Sequence, residues 1–393
     1  MTVPVTGSPR IAFVLGLATG GSARHVIALA AGCRSAGMSV CLLAPAPTLA
    51  LASGDAGIEA FEVRISERPR PVSDLGAVAR MRHWLGSWRH DVVHAHGVRA
   101  GAFAALAIGG LAIGGLAGRR GRRPPALVVT VHNAPPAGRQ GRLVYGVLER
   151  ICARRAQLVL CASADLAARL RAVGGARVQQ FDVPAPSAAQ PSAAEVASAR
   201  ADIGADGRPV VLAVGRLAAQ KGFDVLIEAA GRWRDRDPQP RTVIAGDGPL
   251  AAALRARASR VQADALLLGP RNDVPALLAI ADVVVVPSRW EARALILQEA
   301  MRAGKAIVAS RVGGTPELVG SSGQYGEGAL LIPPGDPAAL AAAVTAVLDD
   351  QHLAARLCRA ARARSATFPT EKDAITDALS TYTRLAVSRS RPS

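Results

Sequence analysis

Aromatic residues make up only 3% of this 393-residue chain. Its interior must therefore be built from alanine, glycine and aliphatic side chains. Half the residues are apolar, enough for two cores, and the length predicts two domains. Cysteine is also scarce. Cys33, Cys41, Cys152, Cys161 and Cys358 are odd in number and scattered, with no Cys-x-x-Cys. That pattern argues against a disulfide framework and a structural zinc, and for a reducing cytoplasm. A secretory leader is not expected either: the apolar run at 11–18 is short, has no cleavage pattern, and reads as the first strand. No arginine/aromatic interleaving or nucleic-acid motif is present, so nucleic acid ranks last among partners. Asp235-Arg236-Asp237 follows a predicted helix and reads as solvated surface, so it implies no metal.

The chain is short of acids in one half. The net charge is +17. Residues 1–185 hold 22 arginines against nine acids, whereas residues 186–393 are nearly balanced. The basic half suggests an anionic partner, either lipid head groups or an acidic acceptor. A solubility-related bias of an arginine-rich protein is the other reading. Residues 100–118 carry no charge and repeat LAIGG, and Arg119, Arg120, Arg122 and Arg123 follow at once. Glycine is a poor helix residue, so a helix to about Leu106 and then a small-residue loop or hairpin is predicted. Such a segment over 106–123 fits either peripheral contact with an anionic membrane or an insertion with a solvated basic tip.

The most informative stretch is 283–319. Four valines at 283–286 suit a strand buried on both faces. Pro287 and Ser288 end it, a helix pattern runs from about Leu295 to Ala303 with Gly304 at its C-cap, and 306–309 reads as the next buried strand. Strand, loop, helix, strand predicts a βαβ unit and a parallel sheet. Glu291 lies in the loop at the strand's carboxyl end and Glu299 a turn into the helix, where α/β sheets bind ligands. A dipole-complementing acid plus a solvated glutamate explains the pair equally well.

Neighbouring stretches sharpen the choice. VLAVGRLAAQKG at 211–222 is a buried strand ending in Gly215-Arg216, with Lys221 just before a helix that begins near Phe223. A cation there opposes the helix dipole. That is easiest to explain if Arg216 and Lys221 neutralise a diphosphate. Gly246-Asp247-Gly248-Pro249 turns out of the next strand. In the N-terminal half, Thr19-Gly20-Gly21-Ser22 joins a strand to a helix, where glycines let the backbone approach a phosphate. His25 reads as packed or exposed. His94 and His96 point to one side of a strand, but no third ligand is evident, so a metal is not expected. Ala126–Val131 is a buried strand ending in His132, placed for a binding crevice.

Taken together, GRL-x3-KG at 215–222, the GDGP loop at 246–249, the segment 266–288 and the Glu291-x7-Glu299 spacing resemble the retaining glycosyltransferases of the GT-B fold, glycosyltransferase family 4 type. The resemblance implies an α/β protein with two Rossmann-like domains whose parallel sheets face each other across a cleft. It implies an N-terminal acceptor-binding domain at 1–185, a linker at 186–208, a C-terminal nucleotide-sugar-binding domain at 209–370, and a helix at 371–393 crossing back to the first domain. The activity implied is transfer of a sugar from a nucleotide-diphosphate donor to an unknown acceptor, with lipid-linked and cell-envelope acceptors among the candidates. The nucleotide sugar is a co-substrate, and no metal or other cofactor is expected.

By the same resemblance, the catalytic residues are His132, which positions the acceptor, Arg216 and Lys221, which bind the diphosphate, and Glu291, which holds donor-sugar hydroxyls. Glu299 accepts from the ribose, Gly20 and Gly21 close on the phosphates, and Gly215, Gly246, Gly248, Ala294 and Leu295 form donor-binding loops. Arg271 and Asn272 lie in the loop at 269–275 against which the base rests. The chain departs from the family's E-G-F-G-L at Glu291-Ala292-Arg293-Ala294-Leu295. That departure raises the alternative of a non-catalytic nucleotide-sugar-binding protein of this fold; a nucleotide-sugar epimerase of the same fold is a second alternative.

Overall fold

The computed structural model describes residues 8–16, 21–52, 57–66, 69–87, 90–113, 124–135, 138–186, 189–205, 207–320 and 327–390. Gly20 and the four arginines at 119–123 lie outside these residues, as does most of the segment expected to touch a membrane. The chain divides into two compact units, Met1–Pro184 with Pro369–Ser393, and Ala185–Phe368.

The first unit is built on a parallel sheet of β1 (Arg10–Leu15), β2 (Ser39–Ala44), β3 (Glu59–Glu62), β4 (Val92–His96), β5 (Ala126–Val131), β6 (Leu158–Cys161) and β7 (Val178–Gln180). Their order is β3-β2-β1-β4-β5-β6-β7. The second unit has β8 (Val210–Val214), β9 (Arg241–Ala245), β10 (Ala265–Gly269), β11 (Val283–Val286), β12 (Ala306–Ser310) and β13 (Leu330–Ile332), in the order β10-β9-β8-β11-β12-β13. All described pairings are parallel. Both units are therefore Rossmann-like α/β folds.

The valine run shows why these strands form. Val284 and Val286 enter the core on one side of the sheet, Val283 and Val285 the core on the other. Helices cover both faces, so alternation of apolar with polar residues is absent and a continuous apolar run takes its place.

In each sheet the strand order reverses once, between β1 and β4 and between β8 and β11. Chains leaving these neighbours depart to opposite faces, which opens a crevice at their carboxyl ends. In the second unit the loops leaving β8 and β11 carry Arg216, Lys221 and Glu291. In the first unit His94 and His96 end β4.

One sequence expectation fails here. The helix predicted to stop near Leu106 runs from Val98 to Ile113, through Gly109 and Gly110. Its glycines serve close packing. A Cβ on Gly101 would lie 2.6 Å from Val129 Cγ1 and 2.9 Å from Cys152 Sγ, and one on Gly110 would lie 3.0 Å from Arg82 Nη1. Tertiary packing against the helices Pro71–Ser87 and Arg139–Arg155 overrides the weak intrinsic propensity.

Candidate active site

The second unit brings Lys221 and Glu291 together. Lys221 ends a short 3-10 turn, Ala219–Lys221, after β8, and Glu291 lies in the loop after β11. Lys221 Nζ donates to Glu291 Oε1 at 2.5 Å. Ser288 Oγ donates to the same oxygen at 2.7 Å. Ser288 is buried and Glu291 is only 5% exposed, so both donors hold the carboxylate in one orientation. No hydrogen bond reaches Oε2 among the described residues.

The two loops are laced to each other by backbone and side chain. Arg289 N donates to Gln220 O at 2.7 Å, and Gln220 Nε2 donates to Trp290 O at 2.8 Å. Arg289 forms a two-pronged pair with Asp224 at 2.8 and 2.7 Å and also reaches Ala219 O. The Arg289 side chain holds the Asp224 carboxyl below its usual range. Gly222 sits at φ +66, where a Cβ would fall 2.0 Å from Pro287 O. On the far side, Gly314 N donates to Glu291 O at 2.9 Å, and Gly313, at φ +47, leaves no room for a Cβ against that same oxygen. Only glycine fits either position.

Gly215, Gly246 and Gly248 acquire a packing role. A Cβ on Gly246 would lie 1.9 Å from Gly215 O, and one on Gly248 would lie 2.6 Å from Leu217 O. Leu217 N donates to Asp247 O and Leu250 N to Leu217 O, which interlocks the loops after β8 and β9. Arg216 projects from this junction as an exposed side chain.

The remaining C-terminal residues sit around this centre. Ala294 is the buried N-cap of the helix Leu295–Arg302, and Glu299 is half-buried within it. Arg271 is held by Asp273 and Asp202, with Nη2 2.9 Å from Asp202 Oδ2, and Asn272 beside it is exposed. Arg293, the conspicuous departure from the family pattern, lays its guanidinium over the Phe368 ring at 5.6 Å, and Arg364 lies over the same ring at 5.8 Å. Arg293 thus has a stacking partner within its own unit.

The first unit holds a histidine cluster. His96 Nδ1 lies 3.3 Å from His132 Nε2, and the two rings stack at 5.6 Å. His94 packs against His96 with ring centroids 4.1 Å apart. It is fixed by Thr130 Oγ1 at 2.6 Å and by the hydroxyl of Tyr382, from the C-terminal helix Glu371–Ser390, at 2.5 Å. His25 meets the edge of His96. Burial holds every member below the ordinary imidazole range: His25 at about 4, His94 and His132 at about 3, and His96 well below. His132 is therefore a neutral imidazole at physiological pH. It is suited to accepting or donating a hydrogen bond rather than to carrying charge.

Gly21 opens the helix Gly21–Ser35. The sequence carries no sign of the roles of Asp224 and Arg289 and marks Ser288 only as the end of a strand, whereas His25 is packed, one of the two settings expected of it. The Pro-Ser pair before Glu291 was the one available signal for Ser288; nothing local pointed to Tyr382. Among the described residues no group of three or more His, Cys, Asp or Glu side chains could hold a metal ion. No helix among them is long and apolar enough to cross a membrane.

A family model described as glycosyl transferases group 1 matches residues 197–364, and a glycosyl transferase 4-like domain model matches residues 20–186. The chain is 34% identical over 165 residues to alpha-D-kanosaminyltransferase of Streptomyces kanamyceticus, covering 41% of this chain and 42% of that protein. It thus spans less than two thirds of that relative. It is 31% identical over 330 residues to 2-deoxystreptamine N-acetyl-D-glucosaminyltransferase of Streptomyces fradiae, covering 74% of each. The fold matches a crystal structure of HepE from Anabaena in complex with UDP-glucose with a TM-score of 0.75, at 22% identity, over 95% of this chain and 99% of that one. With two family models matching both units and a relative above 30% identity matched over most of its length, the chain belongs to the glycosyl transferases of group 1.

Proposed function

We propose that the protein transfers a sugar, with retention of configuration, from a nucleotide-diphosphate donor to a hydroxyl-bearing acceptor. The observation that carries this reading is the Lys221–Glu291–Ser288 cluster on the loops of the two neighbouring strands β8 and β11. A cation and an oriented carboxylate at the switch point of a parallel sheet suit a ligand with a diphosphate and sugar hydroxyls. In this reading Arg216 and Lys221 bind the diphosphate and stabilise its charge as it departs. Glu291 holds donor-sugar hydroxyls through its second oxygen, Glu299 accepts from the ribose, and the loop holding Arg271 and Asn272 supports the base. His132 holds the acceptor hydroxyl as a neutral imidazole. The two side-chain cations take up the role that a divalent ion plays elsewhere in diphosphate departure, so the reaction is read as metal-independent. The crystal structure of HepE in complex with UDP-glucose makes a uridine donor the first to try. We assign the enzyme to the cytoplasm on its scattered thiols.

Titration calorimetry with UDP-, GDP-, ADP- and dTDP-sugars tests the reading. One class of donor should bind and be turned over, and Glu299→Ala should weaken its binding without unfolding the chain. Failure of every nucleotide sugar and nucleoside diphosphate to bind the folded protein would overturn it.

A further inference from the structure

The helix Arg139–Arg155 presents a surface that holds none of the residues assigned above to the donor or to the histidine cluster. Three of its aliphatic side chains are exposed: Leu143 by 73%, Val144 by 42% and Val147 by 56%. Arg139, Arg142, Arg150, Arg154 and Arg155 are exposed on the same helix. At 100° per residue, Arg139, Leu143, Val147, Arg150 and Arg154 fall on one stripe. The apolar residues thus sit between cations along the outer face. The helix has one acid, Glu149, which is fully buried and bonded by Arg169 Nε at 2.7 Å. Among the described residues none of the five arginines is in an ion pair.

The placement of the charges excludes a purely local explanation. Arg154 and Arg155 lie in the last turn, where the helix dipole favours cations, but Arg139 and Arg142 begin the helix, where it disfavours them, and the first turn has no acid to offset them. Three neighbouring aliphatic side chains in water are likewise unfavourable unless something covers them. The buried face is well anchored: the helix packs against Val98–Ile113, and Tyr145 donates to Asn133 O at 3.0 Å. The outer face is therefore a settled surface of the unit.

We propose that this face docks on an anionic lipid surface, with Leu143, Val144 and Val147 entering the head-group region and the arginines meeting lipid phosphates. Lipid fits both halves of the pattern, since aliphatic insertion and basic attraction reinforce each other there. A nucleic acid would meet aliphatic side chains where its bases need aromatic partners. The proposal is independent of the donor-binding reading, because no residue of this helix belongs to that site, and either can fail alone.

Co-sedimentation of the full chain with phosphatidylcholine vesicles, with and without phosphatidylglycerol, tests it. Association is expected with the anionic vesicles at low salt, falling steeply as salt is added. Leu143→Gln with Val147→Gln, and separately Arg150→Glu with Arg154→Glu, should each lower partitioning by at least about tenfold, while circular dichroism and the melting temperature stay as in the parent. These positions are exposed, so the folded state tolerates them. No association with anionic vesicles, or equal association with neutral ones, overturns the proposal. Undiminished association of both variants would show that another surface binds the lipid and would also overturn it. Binding to a single-stranded oligonucleotide in place of vesicles would assign the face to nucleic acid instead.

Discussion

Glu291 Oε1 receives two donors, and they differ in kind. Lys221 supplies charge and Ser288, almost fully buried, supplies direction. Ser288→Ala should leave the fold intact but let the carboxylate turn, lowering kcat/KM by roughly tenfold or more, as loss of a buried hydrogen bond to a charged group does. Ser288→Thr, which keeps the hydroxyl, should recover part of that loss; equal defects in the two variants would show that packing rather than the hydrogen bond matters. The buried histidines make a second prediction. His25 and His90 are held at about 4, mainly by burial, against an unfolded value near 6.5. Between those values the unfolded chain binds more protons, so the stability contributed by neutral burial is complete above about pH 6.5 and is lost as pH falls toward 4. The melting temperature should already decline between about pH 6.5 and 5, above the range of ordinary carboxylates. A flat profile there would mean these rings are solvated.

At the scale of elements, the loops after β8 and β11 depend on glycine at the points where backbones touch. Gly222→Ala combines a positive φ with a Cβ 2.0 Å from Pro287 O. It should destabilise the second unit by about 2 kcal/mol or more and weaken donor binding, because Lys221 is the preceding residue. Thermal melting and nucleotide titration of that variant check both effects. Arg289→Ala removes a half-exposed ion pair and should cost about 1 kcal/mol or less. The contrast between the variants separates backbone fit from surface charge. The βαβ unit from β11 to β12 was legible in the sequence because a run of β-branched residues buried on both sides has few other uses. The helix Val98–Ile113 was misread for a physical reason: glycine lowers helix propensity locally, but here it is what allows contact with β5 and the helix Arg139–Arg155. Propensity is visible in a window of sequence, and the packing that outweighs it is not.

At the scale of the molecule, both sheets reverse strand order once, and Arg216, Lys221 and Glu291 lie on the loops that leave β8 and β11 at the second of these reversals. Arg216, Lys221 and Glu291 could be read because loops after strands have local signatures and βαβ topology brings neighbouring loops together. The setting of His94 could not be read. Its partner Tyr382 stands 288 positions away, a contact created by the return of the C-terminal helix to the first unit. Arg293 shows the opposite limit: the sequence marked it as unusual, but its stacking on Phe368 depends on where the end of the second unit folds.

If the cations after β8 act on a departing diphosphate, donor turnover by Lys221→Ala beside the parent enzyme, with folding verified by circular dichroism, is the decisive comparison. Loss of one such donor should slow turnover by about a hundredfold, equivalent to about 3 kcal/mol of transition-state stabilisation, while the nucleoside diphosphate still binds. Turnover within a few-fold of the parent would mean that Lys221 does not act on the leaving diphosphate.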